Sequence, residues 1–208
     1  MALLVTPRLT DPGVAQLCKQ VRPHGGRAVL LPVTPEKGCE PLDCFRNVQK
    51  KVYAEGGRIQ YGWSIWMWPR VFVEAEHHAV YARPDGGGLL DITPSAEGYY
   101  ERLFLPDDDA VYDFENEGIR RENIRLALSN DQLVRRFFAA AEERNRLLNS
   151  IPGIGLVTAT GNTAARLQAN QQELAILQLQ LAMKYTGPND LCFCGSGGKF
   201  KRCHGRRA

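Results

Sequence analysis

No stretch of the chain approaches eighteen consecutive apolar residues, so none reads as a helix spanning a bilayer. The opening residues, Met1-Ala2-Leu3-Leu4-Val5-Thr6-Pro7, lack the basic start and apolar core of a secretory signal. The expectation is a cytoplasmic protein. Internal repeats and low-complexity tracts are absent. Charge of one sign is scarce in excess: 26 Lys and Arg face 23 Asp and Glu, a net +3, so the molecule as a whole is not a polyanion-seeking surface. What is present is a 44 % hydrophobic content over 208 residues, enough for one medium domain with additions. Six cysteines are available for three disulfides, but a reducing compartment turns them toward metal and catalytic uses.

Prolines 7, 12, 23, 32 and 35 punctuate the first segment, where a short helix over 14–21 and a strand over 27–33 are expected. Phe45, Val48 and Val52 lie at helical spacing, with Asp43 able to cap and Gly56 able to stop the helix. Residues 58–93 read as strands, broken at Pro69 and turning at Gly86-Gly87-Gly88. A linker is expected through Pro94, Gly98 and Pro106 to Asp109. Helices then follow over 122–128, 131–149 and 162–184, the last separated from the tail by Pro188.

The tail holds four candidate metal ligands within a few residues: Cys192, Cys194, Cys203 and His204. A Cys3His set suits tetrahedral zinc, and with no open position such a site is structural, one ion per chain. The segment is too short to bury a core of its own, so metal binding would supply most of its folding free energy. Its glycines suit a tight loop around an ion. The run resembles the SEC-C zinc motif of bacterial proteins through Asn189-Asp190, the Cys-x-Cys pair, Gly195-Ser196-Gly197, Phe200 flanked by Lys199 and Lys201, and Cys203-His204. It departs from that pattern at Leu191 and Phe193, where prolines are usual, and at Gly198, where a lysine is usual. Lys199, Lys201, Arg202, Arg206 and Arg207 make the tail basic, a surface for a protein partner, nucleic acid or anionic lipid, or simply a solvated rim.

A second constellation lies upstream. Cys44 opens an expected helix, His78 sits on an expected strand and Asp91 on the next, 34 and 13 residues apart. A thiol in the first turn of a helix meets the positive end of the helix dipole, which favours the thiolate. The neighbouring carboxylate of Asp43 works against it. An imidazole can take the thiol proton, and an aspartate can fix the ring tautomer. Residues 38–95 resemble the transglutaminase-like branch of the papain-type cysteine fold through this order and through His78-Ala79-Val80, the glycine turn and Asp91-Ile92-Thr93-Pro94. The resemblance implies Cys44 as nucleophile, His78 as base and Asp91 as orienting carboxylate of a hydrolase or acyltransferase. Its usual aromatic after the His-Ala pair is Val80 here.

Other readings of these residues stay open. His77 points to the opposite sheet face from His78. Glu74 or Glu76, on the His78 face, can replace Asp91. Cys39, Cys44, His77 and His78 can be metal ligands, or Cys44 a buried small hydrophobe beside a satisfied histidine. Residues 151–155 read as a turn between helices, either plain or of the helix-hairpin-helix kind. Asp107-Asp108-Asp109 reads as solvated linker, and Trp63, Trp66 and Trp68 as core or as the wall of a groove. The resulting expectation is an α+β protein. A papain- or transglutaminase-like domain spans 1–105, a helical region 106–186 and a zinc knuckle 187–208. It is either a cysteine-triad enzyme or a zinc-binding adaptor.

Overall fold

A computed structural model describes residues 3–95, 98–116, 119–151 and 158–206. The chain is a mixed α/β structure built on an antiparallel sheet. Helix α1 (Val14–Val21) precedes strand β1 (Val29–Pro32), and helix α2 (Cys44–Glu55) precedes β2 (Arg58–Trp68) and β3 (Phe72–Ala82). Strands β4 (Leu89–Leu90), β5 (Glu101–Pro106) and β6 (Ile124–Ala127) complete the sheet. Helices α3 (Gln132–Asn149) and α4 (Gly161–Tyr185) pack as a hairpin, and a single 3₁₀ turn, Phe200–Arg202, lies in the tail.

The sheet order is β1-β5-β2-β3-β4, with β6 also pairing β3. Its two ends meet. Val33, just past β1, forms a parallel bridge with Asp91, just past β4, and Thr34 N–H donates to Asp91 O at 2.8 Å. The path β1-β5-β2-β3-β4 therefore closes on itself as a small barrel. Leu31, Val80 and Phe104 form one compact apolar cluster, with Val29 and Leu89 against it. The other face of β3 is covered by helices. Val14 and Leu17 of α1 pack with Trp63, Ile65, Val73 and Ala75, and Val48 of α2 packs with Ala79, Tyr81 and Ile92. Alternation along β3 thus sorts its side chains onto two buried layers.

Two expectations about local structure are corrected. Residues 101–106 are not linker: they form β5, hydrogen-bonded to β1 on one side and β2 on the other. Leu103, Phe104 and Leu105 are all buried, because a strand between two neighbours with both faces covered carries a continuous apolar run. Residues 124–127 are strand, not helix. Ile124 and Leu126 alternate with Arg125 and Ala127, and the segment pairs antiparallel with β3 from Ala75 to Phe72. Asp107, expected in solvated linker, is buried. It accepts from Trp63 Nε1 at 2.9 Å and meets Arg22 at 3.5 Å.

The last segment does not hang free. Phe193 and Phe200 are buried in one cluster with Trp68, Phe72, Val134 and Leu181, so the knuckle shares a core with the sheet and the helical hairpin. Arg70, in the tight β2–β3 turn with φ 69°, reaches across to bond the Asp190 carboxylate. The turn at 151–155 lies, apart from Ile151, outside the described residues.

Candidate metal and nucleophile sites

The knuckle gathers its four ligands. Asp190 accepts from Gly187 N–H at 2.7 Å, and Phe200 N–H donates to Asp190 O at 2.8 Å, closing the loop. A bridge pairs Leu191 with Lys199, and Cys192 N–H donates to Gly198 O at 2.8 Å. Gly195 and Gly197 take φ of 78° and 72°, the left-handed backbone that turns the chain between Cys194 and Cys203. The donor atoms of Cys192, Cys194, Cys203 and His204 lie within 4.8 Å of one another. Cys192 Sγ is 3.3 Å and Cys203 Sγ 3.4 Å from His204 Nδ1, and Cys194 Sγ is 3.6 Å from Cys203 Sγ.

Those separations test the fit of an ion. A tetrahedral centre with Zn–S of about 2.3 Å and Zn–N of about 2.0–2.1 Å sets S···S near 3.8 Å and S···N near 3.6 Å. Three of the donor pairs, at 3.3, 3.4 and 3.6 Å, lie close to that cage and the rest lie within 4.8 Å, with Nδ1 as the histidine ligand. Partial burial of Cys192 would raise its thiol. Backbone hydrogen bonds at Cys194 and His204, with the His204 ring, outweigh this and bring it down to about 6, toward the thiolate a metal needs. Among the described residues no other His, Cys, Asp or Glu group is arranged to hold an ion, so Cys39, Cys44, His77 and His78 do not form a ligand set.

The second site sits where the barrel closes. His78 is 6 % exposed and Asp91 fully buried. His78 Nε2 donates to Asp91 Oδ2 at 3.0 Å. The same oxygen accepts from Arg102 Nε, and Asp91 Oδ1 accepts from Thr93 N–H at 3.0 Å. Arg102 NH1 donates to Ser64 Oγ at 3.0 Å, and its guanidinium lies over the Trp66 ring, 5.0 Å from the centroid. Gly62 stands opposite His78 in the β2–β3 register. A Cβ there would lie 2.3 Å from Leu105 O and 2.6 Å from Phe104 Cζ, so only glycine lets β5 lie this close to β2 at that point.

Cys44 occupies the first position of α2, and its side chain is buried. Asn47, one turn on, ties this helix start down. It donates to Glu40 O at 2.8 Å and to Thr93 Oγ1 at 3.3 Å, while Glu40 N–H donates to Asn47 Oδ1 at 3.1 Å. Among the described residues no hydrogen bond joins Cys44 to His78. Burial alone would lower the His78 imidazolium, but the negative charge of Cys44, and after it that of Asp91, raises His78 from 6.5 to about 10. Asp91 is lowered: burial would raise it, and the cations His78 and Arg102 prevail.

The remaining expected residues fall elsewhere. His77 donates from Nε2 to Ala110 O at 2.5 Å, packs on Phe45 and Trp63, and is lowered chiefly by burial. Glu74 bonds Arg125 and Asn123, and Glu76 accepts from Trp66 Nε1 at 2.8 Å, so Asp91 is the carboxylate at His78. Trp63, Trp66 and Trp68 are core. Sequence reading missed Arg102. Its signal is a cation beside Leu103-Phe104-Leu105, which carries no meaning while the segment reads as linker.

Comparison with known families agrees with the tail alone. The SEC-C motif model matches residues 189–206, bounding all four ligands. No solved structure matches the chain.

Proposed function

We propose that the protein is a cysteine hydrolase or acyltransferase of transglutaminase-like type, carrying a structural zinc in its C-terminal knuckle. One observation carries the enzymatic part. His78 spends Nε2 on Asp91, while Nδ1 has no hydrogen-bond partner among the described residues, and Cys44 is buried at the start of α2. That is the division of labour a thiolate–imidazolium pair needs.

In this reading the Cys44 thiolate attacks the carbonyl carbon of an amide, ester or thioester. A C–S bond forms as the carbonyl π electrons move to oxygen. The tetrahedral oxyanion collapses, the bond to the leaving group breaks, and His78 Nδ1–H protonates that group. Water or an amine then attacks the thioester, giving its proton to His78, and the C–S bond breaks to restore the thiolate. Asp91 keeps the ring oriented and its charge balanced throughout. Cys192, Cys194, Cys203 and His204 would hold the zinc and fill its four positions, which would leave none for water and confine the ion to a structural role.

The experiment is alkylation of Cys44 by iodoacetamide across pH, followed at the Cys44 peptide by mass spectrometry. Fast alkylation near neutrality that collapses in His78→Ala is expected. Equal, slow alkylation in both proteins, rising only where a free thiol ionises, would sink the nucleophile. A second reading, a non-catalytic adaptor, draws on the exposed Lys201, Arg202 and Arg206 beside the ligands. It predicts zinc retention and partner capture with an unreactive Cys44.

A further inference from the structure

Arg102 is the charged group in the barrel site that the proposed reaction leaves unused. It is 5 % exposed, it lies on the strand inserted between β1 and β2, and it touches two partners at once. Its Nε bonds the oxygen of Asp91 that already accepts from His78, while NH1 is anchored on Ser64 Oγ at 3.0 Å. Thr93 N–H holds the other Asp91 oxygen at 3.0 Å. The carboxylate is thus gripped from β5 and from its own loop, so it cannot swing away from the imidazole. A planar fork with two anchors fixes direction as well as charge, which a flexible ammonium does not.

We infer that Arg102 is a positioning residue for the Cys44–His78–Asp91 site, clamping Asp91 so that the His78 ring is held with Nδ1 toward Cys44. This rests on the reading of residues 44–91 as a nucleophile site. Without the clamp the Asp91 carboxylate keeps one rotational freedom, and the ring it carries loses its fixed aim. Arg102 touches neither substrate nor sulfur in this scheme and acts only through Asp91.

Two readouts test the clamp. The first is the downfield proton resonance of the His78 Nε2–H bonded to Asp91, identified by its loss in His78→Ala. The second is the alkylation rate of Cys44. In Arg102→Met the resonance should broaden or vanish and alkylation slow about tenfold, the worth of one charge-assisted hydrogen bond. Arg102→Lys should recover both in part, since an ammonium reaches one anchor and not two. If Arg102→Met does not fold, Ser64→Ala, which removes only the second anchor, should show the same changes at about threefold. A sharp resonance and an unchanged rate in Arg102→Met, or in both Ser64→Ala and Arg102→Lys, would overturn the clamp. Failure of the underlying nucleophile looks different: wild-type Cys44 would react no faster than in His78→Ala, while the resonance would still respond to Arg102.

Discussion

The protein uses cysteine and histidine twice, in two surroundings that ask opposite things of them. In the knuckle three thiols and an imidazole converge within 4.8 Å, Cys194 and His204 exposed and no carboxylate or guanidinium among them. At the second site a thiol at the start of α2 and an imidazole on β3 are buried, and the charges that partner the imidazole, Asp91 and Arg102, come from the protein itself. Neutral or repelling donors gathered at one point suit an external cation that would hold them. A thiol, an imidazole, a carboxylate and a guanidinium already balance their charges and require none. The same residue types therefore form a candidate metal cage in one place and a buried ion-pair network in the other, and burial with counter-charge is what separates them.

The largest break in this comparison is metal removal. Structural zinc contributes an apparent ~10–16 kcal/mol in small modules. Elemental analysis should find about one zinc per chain, and Cys192→Ser should lose it with a lower melting temperature. A metal-free native protein that melts where the loaded one does would end the zinc assignment. Because Phe193 and Phe200 are buried with Trp68 and Phe72, chelation should also change the signals of Trp68. A knuckle acting as an independent tail would leave them still.

Next in size is Asp91→Asn, which leaves Arg102 and His78 as buried cations without their shared anion. Breaking such a network costs about 3–5 kcal/mol, read by denaturant unfolding. A loss under about 1 kcal/mol would mean that the site is hydrated and not the closed network described. Phe200→Ala should cost about 3 kcal/mol and loosen metal binding, linking the knuckle to the common core.

The pH dependence sharpens the contrast. His78 is raised from 6.5 to about 10 in the folded protein. The stability it contributes is complete below pH 6.5 and is lost as pH climbs through about 10. The knuckle runs the other way, since its ligands must be deprotonated and acid releases the ion. Unfolding of His78→Gln across this range should lack the alkaline loss, while acid release of zinc should stay unchanged. The smallest effect belongs to Arg70→Ala. Its pair with Asp190 is half exposed, worth less than about 1 kcal/mol, and metal retention should be nearly as in the wild type.

Much of this was legible before any coordinates. The helix at Val14–Val21, the start of α2 at Cys44 and the β3 alternation through His78 follow from apolar spacing and turn residues. The four knuckle ligands are adjacent enough in sequence that local geometry brings them together. Two strands were hidden for different reasons. β5 is a short apolar run between turn residues, which periodicity cannot distinguish from other buried segments, and its place between β1 and β2 depends on partners far away in the chain. β6 offers only four residues, too few to separate a period of 2 from one of 3.6. Arg102 followed β5 into obscurity: a guanidinium in a strand has meaning only once Asp91 and Ser64 are known to face it.

The order of the strands has a consequence for synthesis. β1 is made first, yet both of its neighbours come later, β5 at residues 101–106 and the bridge at Asp91. A growing chain that has released β1 through β4 therefore has a hairpin of β2 and β3 with an open flank waiting for β5, and β1 as a lone extended segment. Open strand edges invite pairing with other chains. Arrival of β5 fills that flank, joins β1 to the rest and delivers Arg102 to Asp91 in a single event. The buried network of the barrel is thus completed by the last of its five strands, and a chain truncated before β5 carries His78 and Asp91 without the Arg102 that bonds Asp91.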